Sequence, residues 1–251
     1  MKLLLDFLCR FGWGMAVGLV LTPAALVPGG FFRVNLLVIL GLATAAALVA
    51  PAAEAGAGTA ATAAAAALAA WLGSVAWLGE RRRAGGAFCG ITAALLAAAT
   101  LLASRPAVAA TAGPLPAWLT VGGAALLSGL VSGLAVHAML LGHWYLNAPG
   151  MRVDALRRMI DLALAAWGLQ LAWSVADLAA GGWPAAAAGT TGMALLALRW
   201  LAGLAGLPLL LVMARKTLDI PNTQSATGIL YVACLAAILG ELTAQLLRAS
   251  A

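Results

Sequence analysis

Eight apolar stretches, each close to the length that crosses a hydrocarbon layer as a helix, follow one another with only short polar breaks. In lipid every backbone N–H and C=O must find its partner inside the protein, so only helices and closed barrels span a membrane. Runs near 20 residues are twice what a membrane strand needs, and they select helices. The stretches predict helices over 7–26, 32–49, 59–78, 87–103, 117–141, 159–180, 193–214 and 226–247. The expected fold is all-α, a polytopic membrane bundle of eight transmembrane helices in one integral membrane domain.

Composition excludes the soluble alternative. Hydrophobic residues make up 64% of the 251 positions and charged residues 9%, against about 45–50% and about 25% in soluble domains. Lys2 ahead of Leu3, Leu4 and Leu5 imitates a signal peptide, but Asp6 and Arg10 interrupt the apolar run and no small-residue cleavage site closes it. That segment reads as the start of the first helix. Cys9, Cys89 and Cys234 fall in three different apolar stretches without paired spacing, which suits buried small side chains rather than chemistry.

The basic residues give an orientation. The loops after helices one, three, five and seven carry Arg33; Arg81, Arg82 and Arg83; Arg152, Arg157 and Arg158; and Arg215 with Lys216, nine of the 14 Lys and Arg. The positive-inside rule puts these loops in the cytoplasm and both termini outside it, as in a bacterial-type inner membrane. Placed at helix ends, the charge is explained by topology and anionic headgroups, so the net +6 does not indicate nucleic acid.

Two short echoes suggest parallel four-helix halves, 1–113 and 114–251. Pro28-Gly29-Gly30-Phe31-Phe32-Arg33-Val34-Asn35 resembles Pro149-Gly150-Met151-Arg152-Val153-Asp154, and Ala87-Phe88-Cys89-Gly90-Ile91 resembles Ala226-Thr227-Gly228-Ile229. Halves with an even number of helices share one orientation. Close helix packing through small residues is expected at Gly14 and Gly18 and at Gly129 and Gly133.

Ionisable side chains inside a membrane cost about 2.5–3.5 kcal/mol near its centre and mark the sites worth testing. Arg199 and Glu241 fall at similar depths in helices seven and eight and are expected to form a buried ion pair; Arg10 and Asp177 are a second, weaker pairing. At the Arg-rich end, His143, Tyr145, Asp161, Gln224 and Thr227 make a set able to bind and protonate a carbonyl-bearing headgroup such as a quinone. The chain itself supplies no metal site. His137 and His143 are about 240° apart on a helix, which excludes a bis-His haem within one subunit.

No G-x-x-x-x-G-K-[ST], H-E-x-x-H, G-x-S-x-G or Cys cluster is present, so an autonomous enzyme is not expected. The sequence is read first as a membrane subunit of an electron-transfer or other energy-converting complex with a quinone or proton site, working with other membrane or peripheral subunits. A small-molecule or ion transporter or channel is the alternative. A structural or assembly protein is the third.

Overall fold

The computed structural model describes residues 1–105, 118–148, 150–179, 189–220 and 222–249. Its eight long helices are α1 (Lys2–Leu21), α2 (Gly29–Val49), α3 (Gly56–Leu78), α4 (Arg82–Ala103), α5 (Trp118–Asn147), α6 (Asp154–Ala179), α7 (Thr190–Thr217) and α8 (Thr223–Ala249). All eight are long and apolar enough to cross a membrane, and no strand occurs among the described residues. The chain is an integral membrane protein. The expected ends at Ala117 of helix five and Ala180 of helix six, the repeat residue Pro149 and the boundary between 113 and 114 lie outside the described residues.

Helices run past their apolar cores because only turn chemistry stops them. α1 is the exception, ending at Leu21 rather than Leu26: Pro23 forces the preceding Thr22 into extended backbone, φ −72° and ψ 125°. α2 starts directly after Pro28, also extended at ψ 148°.

Hydroxyls in the apolar helices face the same demand as the backbone, and most meet it within their own turn. Thr22 donates to Gly18 O at 2.7 Å, Thr100 to Leu96 O at 2.8 Å, Ser104 to Thr100 O at 2.8 Å and Thr243 to Leu239 O at 2.7 Å. This back-bonding makes Ser and Thr nearly apolar from outside the helix.

The chain divides into two compact units, Met1–Gly133 and Leu134–Ala251, with the division inside α5. In the first, α1 packs on α2 and α4, and α3 packs on the same two, closing a ring of four. Its interior includes Leu5, Leu8 and Cys9 of α1 against Ala46, Ala63, Ala99 and Ala103. The first half of α5 joins α1. A Cβ at Gly14 would fall on the carbonyl oxygen of Gly129 and within 2.9 Å of Gly133 Cα, so only glycine allows this crossing. Beside it, Trp13 Nε1 donates to Leu126 O at 3.1 Å.

In the second unit α8 packs along α7, and α6 packs on the last part of α7. Gly203 and Gly240 bring α7 and α8 into backbone contact, a Cβ on Gly240 lying 2.6 Å from Gly203 Cα. Cys9, Cys89 and Cys234 are buried free thiols, and Cys234 donates to Ala135 O at 3.4 Å.

Candidate functional site

The five residues expected at the Arg-rich end all belong to the second unit, yet they face different ways. His143 and Tyr145 are two positions apart, about 200° around a helix. His143 is exposed, and its Nδ1 lies 3.1 Å from the Tyr231 hydroxyl on α8 with the rings edge to face. Tyr145 is buried and donates to the carbonyl of Arg152, closing the turn between α5 and α6.

Thr227 is buried with its hydroxyl on Thr223 O at 2.7 Å, against Gly142, where a Cβ would come within 2.7 Å of it. Gln224 is exposed in the first turn of α8. Asp161 accepts from Arg215 Nε at 2.9 Å.

That last contact belongs to an arrangement the sequence reading did not assemble. Arg157 and Asp161 are four apart on α6, and Arg215 and Asp219 are four apart across the end of α7. Because the helices run in opposite directions, each Arg meets the other helix's Asp: Arg215 to Asp161 at 2.9 Å and Arg157 to Asp219 at 3.7 Å. Arg215 also reaches Asp219 at 3.5 Å, and Arg157 donates to Leu218 O. The repeated R-x-x-x-D spacing was the available signal.

Deeper in the same unit α7 is not a regular helix. From Arg199 to Gly206 it widens into a π-helix, with the N–H of Leu207 reaching back five residues to Ala202 O. Gly203 and Gly206 weaken the α geometry, and Pro208 removes the donor that Leu204 O would receive four residues later. Trp167 of α6 replaces it, its Nε1 donating to Leu204 O at 3.1 Å. A widened turn of this kind, rare in helices, recurs at functional sites.

Arg199 opens the widened stretch. Its Nη2 donates to Ser174 Oγ of α6 at 3.1 Å, while the carboxylates of Glu241 and Asp177 act on it through space. Glu241 is 3% exposed and accepts from Gln245 Nε2 at 2.6 Å, one turn further along α8. The two side chains expected to pair thus each have their own hydrogen-bonding neighbour. Gln245 is also 3% exposed, and its Oε1 has no donor among the described residues. In the first unit Arg10 lies 4.0 Å from Asp6 on its own helix.

The chain matches no family model, no curated protein and no solved structure.

Among the described residues no three His, Cys, Asp or Glu side chains converge as metal ligands. His137 is fully buried and His143 exposed, so the two imidazoles occupy different surroundings. What the second unit does hold is a guanidinium with a hydroxyl partner, a buried carboxylate with an amide partner, and an amide oxygen with spare capacity. Such groups bind ions or small polar molecules and relay protons.

Proposed function

We propose that the chain is a small-molecule or ion transporter, with its substrate site on α6, α7 and α8 of the second unit. The observation carrying this reading is the buried Glu241–Gln245 pair with its unfilled amide oxygen, beside a helix widened at Arg199–Gly206. The neighbouring Thr243 hydroxyl satisfies itself within one turn, whereas the Gln245 amide oxygen stays an open acceptor beside a buried carboxylate and the Arg199 stretch. Widened turns inside helices recur at functional sites, and ionisable groups held within membrane helices mark substrate and ion pathways.

The test is flux from proteoliposomes holding the purified chain, with protons, sodium and chloride as separate probes. At least one probe should move faster than in protein-free vesicles. Gln245→Leu and Arg199→Gln should each lower that flux by about tenfold or more while leaving the thermal transition of the protein in place. Equal flux with and without protein for all three probes counts against transport of ions.

A second reading, a membrane subunit of an energy-converting complex, draws on the exposed His143–Tyr231 pair, an imidazole and a phenol able to share a proton with a quinone carbonyl. A short-chain quinone should then protect an azido-quinone label at these two helices. Partner subunits carrying haem, flavin or iron and sulfur would co-purify. In either role we place the chain in a bacterial-type inner membrane, Arg-rich loops in the cytoplasm. A cysteine at Arg82 should resist an impermeant maleimide in whole cells, and one at Lys2 should react.

A further inference from the structure

The arginines at the loop ends of the two units have different surroundings. In the second unit Arg152, Arg157 and Arg215 each have an aspartate within 4.0 Å. In the first unit Arg33, Arg81, Arg82 and Arg83 are all exposed, and none has a carboxylate within that distance among the described residues.

The fold gathers these four at one end of the ring. Phe32 stacks on Trp77 with ring centroids 4.2 Å apart, which sets the start of α2 beside the end of α3. Arg82 Nη1 donates to Ala24 O at 3.2 Å, tying the start of α4 to the loop between α1 and α2. Gly85 and Gly29 both lie against Trp77, closing the same corner. The one acid in the α3–α4 turn, Glu80, sits at φ 55° and pairs with none of the four. α2 and α4 both begin here with no side-chain cap and no acid in the first turn, so the positive ends of both helix dipoles add to the field.

We propose that this corner binds the phosphodiester headgroup of an anionic phospholipid. Four exposed guanidiniums gathered with Glu80 as the one acid in the turn attract an external anion, and guanidinium forks match phosphate oxygens two at a time. Apolar helix surface continues from the corner, with Leu37 and Val38 of α2 and Leu72 and Val75 of α3 exposed, so an acyl chain has somewhere to lie. A soluble anion would use the charge alone, whereas a phospholipid uses the charge and the adjoining apolar surface together. This inference concerns the first unit and does not depend on the transport reading.

Native mass spectrometry of the full chain from mixed micelles of phosphatidylglycerol and phosphatidylcholine tests it. Wild type should retain phosphatidylglycerol with roughly tenfold preference. R33Q/R81Q/R83Q, which spares the Arg82 bond to Ala24, should lose most of that preference. R158Q/K216Q, removing two charges from the second unit, should stay within about twofold of wild type. Lysine at the same three positions should restore part of the loss, and the single R81Q variant gives the same reading if the triple variant does not fold. The proposal is overturned if a folded R33Q/R81Q/R83Q chain keeps the wild-type preference, if both charge variants lose it equally, or if millimolar inorganic phosphate displaces the lipid.

Discussion

At the scale of single residues, the firmest consequences come from places where one atom decides the geometry. Gly14 meets Gly129 and Gly133 backbone to backbone. Gly14→Val should therefore separate α1 from α5 at a cost of about 1–3 kcal/mol or more, read as a lower midpoint in a thermal or detergent unfolding series. Trp167 and Pro208 offer a cleaner test, since the indole serves a carbonyl that the proline leaves open. Trp167→Phe should cost about 1 kcal/mol. Pro208→Ala restores a backbone donor, so the double variant should fall short of the sum of the two singles. Strict additivity would sink that account. Both features were half visible in the sequence: glycine spacing and the proline could be read, but the partner on a distant helix could not. The exposed end shows why. Depth along a helix follows from counting residues, which put His143, Tyr145 and Asp161 near one level. Direction around the helix, about 100° per residue, sends His143 and Tyr145 apart.

At the scale of elements, the crossed Arg157–Asp219 and Arg215–Asp161 pairs fix the register of α6 against α7. The side chains are part exposed, so each pair contributes about 0.2–1 kcal/mol and less at high salt. Their value is directional: a one-turn slip leaves Arg opposite Arg. Asp219→Arg alone should destabilise the unit and raise its sensitivity to proteolysis in the α7–α8 loop. Combining it with Arg157→Asp should recover part of the loss, the rest remaining because Arg215 also reaches position 219 at 3.5 Å, and a double variant worse than the single would show that the pairs do not set register. The eight spans were legible because apolar length is written directly in the sequence. The widening of α7 was signalled only by Gly203, Gly206 and Pro208, residues that also fit an ordinary kink.

At the scale of the whole molecule, the chain combines a ring of α1–α4 with a second unit that keeps buried polar groups on α8 beside the widened part of α7. The even division into 1–113 and 114–251 and the compact units Met1–Gly133 and Leu134–Ala251 are different partitions of the chain. Local echoes of sequence do not report where a long helix makes its contacts, and α5 contributes to both units. If α7 and α8 form the substrate site, then flux should be lost in Gln245→Leu and preserved in Gly12→Ala, whose added Cβ meets nothing nearer than a Leu96 side-chain carbon at 3.4 Å, separating damage to the site from a change in the first unit. The contact between α1 and α5 also places a demand on biogenesis. Trp13 and Leu126 are 113 residues apart, so at about 5–20 residues per second the ribosome needs roughly 6–23 s to supply the second helix after the first. Through that interval the glycine face of α1 lies open in the bilayer. An insertase that holds the nascent bundle until α5 leaves the translocation site would protect it from wrong partners.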